Sequence, residues 1–157
     1  MASIGEALAA QWDRTWLMFL DAVAKFPDDQ WRAEVPGELA PARSALHLVE
    51  TVDFYRGEGP EGYAWGARFR VDWEGSPAQQ LPGAGEVVVW AEELRAIVDA
   101  QLRAMSDEEF LTAPNPYAWT GANRLEHWLY GIRHFHQHLG ELHGLLRRRG
   151  LPLEDWH

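Results

Sequence analysis

Apolar residues recur every three or four positions through four long stretches of this chain, and that period restricts its fold more than any other feature. Each such stretch is a helix with one apolar face that has to be buried against another element. The first runs from Ile4 to Lys25, with Ile4, Leu8, Trp12, Trp16, Phe19 and Val23 in phase. The second starts at Pro41, a residue suited to a first helical turn, and carries Ala45, Leu46, Leu48, Val49, Val52, Phe54 and Tyr55 to about Arg56. Val87, Ala91, Leu94, Val98, Leu102 and Met105 mark the third. The last starts between Thr120 and Asn123 and runs to about Arg149, with Leu125, Trp128, Leu129, Ile132, Phe135, Leu139, Leu142 and Leu146 as its stripe.

Proline and glycine punctuate these runs. Pro27 excludes the helical conformation for its predecessor, so Phe26-Pro27-Asp28-Asp29 reads as a turn. Ser106-Asp107-Glu108-Glu109 has the form of a capping box and predicts a short helical piece through Leu111, ended by Pro114 and Pro116. Residues 57 to about 85 are rich in glycine and proline, and Tyr63, Trp65, Phe69 and Trp73 fall there without a helical period. This stretch reads as a long irregular crossover in which only Arg68–Trp73 alternates like a short strand. Loops this long in compact domains are usually ordered functional covers. Its aromatics are expected to pack beneath the loop, with a pocket cover as the alternative. At 157 residues and without an internal repeat, the chain is expected to be all-α: a single four-helix-bundle domain over 1–157, with one crossover between helices two and three that lets them run in the same direction.

Charge and composition narrow the chemistry. With 24 acidic against 14 basic residues the formal charge is −10, which repels phosphate backbones and anionic lipid, so neither nucleic acid nor membrane is expected as a partner. The basic cluster Arg147-Arg148-Arg149 closes the last helix, where cations complement the dipole. No run approaches the roughly 20 apolar residues that cross a bilayer, and a cytoplasmic location is expected. There is no cysteine, which removes disulfides, thiolate metal sites and a cysteine nucleophile, and leaves His, Asp and Glu as metal ligands.

Three of the seven histidines, His134, His136 and His138, lie within five residues of the last helix. His134 and His138 are four residues apart and share a face one turn from each other, while His136 points nearly the opposite way. Phe135 and Leu142 flank the pair, which places it at the edge of the apolar stripe. Such a pair is half of a transition-metal site, and His47, set between Leu46 and Leu48 in helix two, is the candidate third ligand. His127 is close in phase but seven residues before His134, about 10 Å along the axis, too far to share an ion bonded at about 2 Å. His136, His143 and His157 read as solvent-exposed. Glu50 and Glu141 each follow a candidate ligand by one turn; either is placed to hydrogen-bond an imidazole, and both are otherwise ordinary surface carboxylates.

The stretches Ser44-Ala45-Leu46-His47-Leu48-Val49-Glu50 and Arg133-His134-Phe135-His136-Gln137-His138-Leu139-Gly140-Glu141-Leu142 resemble the two signatures of the DinB-like, or YfiT-like, superfamily of four-helix bundles. The resemblance extends over nearly the whole chain in helix order. It implies a divalent metal ion, zinc or nickel first, with His47, His134 and His138 as ligands and open positions for water or substrate. Many members carry Gln where this chain has Glu141. Similar proteins include S-transferases that use bacillithiol or mycothiol, a maleylpyruvate isomerase and metal-dependent hydrolases. The expectation is therefore a metal-dependent S-transferase, its nucleophile a small-molecule thiol held as thiolate and its second substrate an electrophile. Hydrolysis by a water whose pKa falls towards about 7 comes next. The competing class is a noncatalytic, metal-stabilised bundle, and nine tryptophans make an aromatic homodimer interface an expectation as well.

Overall fold

In the computed structural model, which describes residues 2–153 and 155–157, the chain is all-helical: α1 (Ile4–Ala24), α2 (Asp28–Trp31), α3 (Pro41–Tyr55), α4 (Ala84–Ala104), α5 (Asp107–Thr112) and α6 (Arg124–Arg148). Single 3₁₀ turns stand at Ala78–Gln80 and Ala118–Thr120. The caps explain several of the boundaries. The Ser3 hydroxyl accepts from Glu6 N at 3.1 Å while Glu6 reaches back to Ser3 N at 2.8 Å, a reciprocal cap that starts α1. Ser106 and Glu109 repeat the device at α5, and Asn123 accepts from Glu126 N at 3.0 Å to start α6. Pro41 occupies the first turn of α3, where its missing N–H costs nothing.

Two local expectations are corrected. The segment after Pro27 is not only a turn: Asp28–Trp31 forms one helical turn, because Trp31 is drawn into the core and its Nε1–H donates to Pro82 O at 3.0 Å. Arg68–Trp73 is not a strand. It lies in successive turns with Arg70 at φ 57°, and no partner segment supplies the ladder hydrogen bonds a strand needs; the described residues contain only two isolated bridges, Val35–Glu38 and Pro114–Asn123.

The core lies among four helices, with α1 packed most extensively on α4 and α3 on α6, and α1 also meeting α6. Trp12, Trp16, Phe19 and Phe135 meet edge-on, with Trp16 and Phe135 centroids 4.8 Å apart, so α6 is locked onto α1 by aromatic packing. Truncating Phe135, which is 1% exposed, removes contacts worth about 3–5 kcal/mol. At the other end, Gly5 lets α1 approach α4 closely: a Cβ there would lie 2.2 Å from Leu102 O. Gln101 near the end of α4 donates to Arg56 O just past α3, so the C-terminal ends of these two helices meet. Five of the nine tryptophans, Trp12, Trp16, Trp31, Trp90 and Trp128, are buried, so the aromatic richness goes mainly into this core. Among the described residues no helix is long and apolar enough to cross a membrane.

Candidate metal centre

Packing α3 against α6 brings His47 beside His134 and His138. One nitrogen from each of the three rings lies within 4.8 Å of the others, and these are the only three His, Asp or Glu residues that converge in this way among the described residues. Ring centroids are 4.6 Å apart for His47–His138 and for His134–His138, and 6.1 Å for His47–His134. The rings stand edge to face, so their nitrogens converge instead of stacking. The i, i+4 spacing on α6 sets one pair, and the α3–α6 contact supplies the third ring.

The donor set fits a cation. Nδ1 of His47 and Nε2 of His134 are buried without a hydrogen-bond partner, a costly state for an imidazole nitrogen that a metal ion would relieve. Burial, reinforced by the like charges of His138 and His134, pushes His47 down to about 4. Burial and His138 push His134 down to about 4 as well, against a weaker opposing pull from Glu141. Both rings are therefore neutral at pH 7, with a lone pair available for coordination. His138 differs: its Nδ1 lies 2.9 Å from Glu141 Oε2, and since the carboxylate only accepts, Nδ1–H donates and Nε2 is left for the site.

Aromatic rings close the surroundings. Trp73, from the connection between α3 and α4, packs on His47 with centroids 4.0 Å apart, while Tyr130 stacks on His134 and Tyr55 meets it edge-on. Trp73 is held by Arg43. The Arg43 side chain, 7% exposed, donates to the backbone oxygens of Trp73, Glu74 and Ser76, the last two at 2.9 Å. One buried guanidinium thus ties the connecting loop to the start of α3, one turn before His47. Trp73 is one of the four loop aromatics for which a pocket cover is the alternative reading, whereas the sequence reading assigns Arg43 no part in the site. The available signal was the i, i+4 relation of Arg43 to His47, which puts a cation on a helix face that is otherwise buried.

The remaining candidates separate. Glu141 meets an imidazole. Glu50 does not, and it is not a surface carboxylate: it is 2% exposed, and its Oε1 accepts from Gly66 N where the loop folds over α3. His127 lies apart from the three rings and has both nitrogens engaged, Nε2–H donating to Tyr55 O at 2.8 Å and Nδ1 2.9 Å from Thr120 Oγ1. His136 is half-buried and not exposed, because α1 packs against that side of α6 and its Nε2 lies 3.1 Å from Thr15 Oγ1. His143 is half-buried too, its Nε2 accepting from Arg147 Nε at 2.9 Å; His157 is exposed. Of the loop aromatics, Phe69 packs on Trp90, and Trp65 and Trp73 border an open pocket of about 560 Å³ whose lining includes none of the three histidines and meets them through Trp73, the ring packed on His47. The family model of the DinB superfamily matches residues 11–142, a span that contains α2 to α5, most of α1 and all three histidines. No curated protein matches the chain.

Proposed function

Since the chain belongs to the DinB superfamily, we propose that it is a divalent-metal-dependent enzyme, and specifically an S-transferase that joins a small-molecule thiol to an electrophile. The observation that carries the metal is the convergence of three imidazoles, two of them with buried, unpartnered nitrogens. Zinc and nickel suit three neutral imidazoles. His47, His134 and His138 would hold the ion, and when bound it supplies a Lewis acid able to keep a thiol ionised near neutral pH. Three protein ligands leave room for an exogenous one, as catalytic sites require and closed structural sites do not.

The residues around the ligands have separate tasks. Glu141 fixes the tautomer of His138 and raises its basicity as a ligand. Trp73, pinned through Arg43, shields the face of His47 from water and forms a wall shared by the three-histidine cluster and the pocket. With no cysteine in the chain, transfer takes its sulfur from a thiol cosubstrate, and the open pocket bordered by Trp73 is large enough for a small molecule. In the transfer the thiolate sulfur forms a bond to the electrophilic carbon, the leaving group departs with the electrons of its bond to that carbon, and the thiol proton passes to solvent. A homodimer is part of the same reading, supported by exposed Trp119 and Leu129.

The test is a rate measurement on metal-free, zinc-loaded and nickel-loaded protein, with bacillithiol, mycothiol and simpler thiols against 1-chloro-2,4-dinitrobenzene. Support would be chloride release that needs both metal and thiol and is lost in His134→Ala. Turnover of esters or amides without thiol would replace transfer by hydrolysis, and a loaded protein inert to every thiol, ester and amide would remove the enzymatic reading.

A further inference from the structure

The open pocket bordered by Trp73, which packs on His47, has a lining that the metal chemistry does not use. Its lining comprises Glu50, the turn from Trp65 to Ala67, and Arg70 to Trp73. Glu50 is the buried member: one carboxylate oxygen takes the Gly66 N–H, and the other, Oε2, is buried without a partner. A carboxylate left half-satisfied in this way is expensive unless something else donates to it. The turn around it has one workable backbone. Gly66 sits at φ +75°, and a Cβ there would lie 2.3 Å from Val71 O, so the loop closes over Glu50 only with glycine at this position. Two indole rings, Trp65 and Trp73, border the same space, and Asp72 adds a second carboxylate.

We propose that this pocket binds an organic ammonium group, which donates to Glu50 and lies against the faces of Trp65 and Trp73. A cation answers each feature of the lining. It supplies hydrogen-bond donors to an unpartnered carboxylate oxygen, it is attracted by indole faces, and it neutralises an acidic wall in which Arg70 is the one cationic side chain. Burial, with Asp53 and Asp72 as nearby like charges, already pushes the Glu50 carboxyl above the usual range, and an arriving ammonium reverses that penalty. Glu50 lies three residues after His47 on α3, and Trp73 touches His47 and lines the pocket. Trp73 is therefore the ring through which an amine bound here adjoins the histidine cluster. The ammonium site itself does not require the metal.

The test uses benzylammonium chloride as probe and benzyl alcohol as its uncharged counterpart, followed by NMR at the Gly66 amide, whose proton is bonded to Glu50. Benzylammonium should shift that resonance saturably, and benzyl alcohol should bind more weakly by about tenfold or more, the loss expected for a charge-assisted hydrogen bond. Glu50→Gln keeps the shape of the side chain and should lose the preference for the cation while retaining the fold, as judged by the unchanged remainder of the spectrum. His134→Ala, which removes a proposed ligand, should bind the probe like the parent protein, so that loss of metal and loss of the ammonium site are separately visible. Equal binding of the charged and neutral probes, undiminished benzylammonium binding by Glu50→Gln, or no saturable shift would overturn the proposal.

Discussion

Glu141 Oε2 lies 2.9 Å from Nδ1 of His138, one turn away on α6, and this single contact decides which nitrogen of that ring faces His47 and His134. The carboxylate is exposed and the imidazole is not, so the pair couples a surface residue to the centre. Glu141→Ala should leave the fold intact and weaken zinc binding by about tenfold to a hundredfold, the usual range for such a supporting contact. Glu141→Gln, which keeps an acceptor, should lose less. Competition against a chromophoric chelator measures both, and an Ala variant with parental affinity would show that the contact has no bearing on the metal.

Metal should stabilise the fold through all three rings together. Free zinc at a hundred times its dissociation constant adds about 2.7 kcal/mol to a protein that binds it only when folded. The expected outcome is a rise in melting temperature on adding zinc to the metal-free protein, and little or no rise in His47→Ala or His138→Ala. Equal rises in the parent and both variants would place the stabilising ion elsewhere.

The same rings set a pH dependence in the metal-free protein. Folding lowers His47 and His134 from an ordinary 6.5 to about 4, so between those values the unfolded chain binds more protons than the folded one. Their contribution is fully present above pH 6.5 and is lost as pH falls towards 4. Buried His127 and half-buried His136 shift in the same direction, while Glu50, raised by burial, opposes them. Denaturant midpoints should therefore be lower at pH 5 than at pH 7.5, and the difference should shrink in His47→Gln/His134→Gln. A midpoint that is flat or higher at pH 5 would contradict the burial of neutral imidazoles.

Gly66→Ala probes the loop. Its positive φ and the close Val71 oxygen leave no place for a methyl group, so the turn must open and Glu50 must lose its N–H donor. A destabilisation of about 1 kcal/mol or more is expected by chemical denaturation, with zinc affinity changed only as far as Trp73 moves off His47. A variant as stable as the parent would mean that the turn is not held as described.

The helices were legible because their determinants are local. The period of Leu125 to Leu146 and the Asn123 cap place α6 within a few residues, and the i, i+4 phase of His134 and His138 needs no tertiary information. His47 was legible as a partner because a histidine between Leu46 and Leu48 has to face a neighbouring helix or the core. What stayed hidden depends on contacts far apart in the chain. Glu50 looked like a surface residue until a loop sixteen residues later folded over it, and α2 exists because Trp31 reaches Pro82. His136 looked solvent-facing until α1 packed on its side of α6, with Thr15 121 residues away in sequence. Periodicity reports which face of a helix is apolar, but it does not report that a polar face is also covered.

The central claim is that His47, His134 and His138 hold one divalent ion. Its most direct test is a crystal structure of the zinc-loaded protein with data on both sides of the zinc absorption edge. The expected result is a single anomalous peak about 2.0–2.1 Å from one nitrogen of each of the three rings. No peak among the three rings, or a peak held by other residues while these three stay unligated, would contradict it.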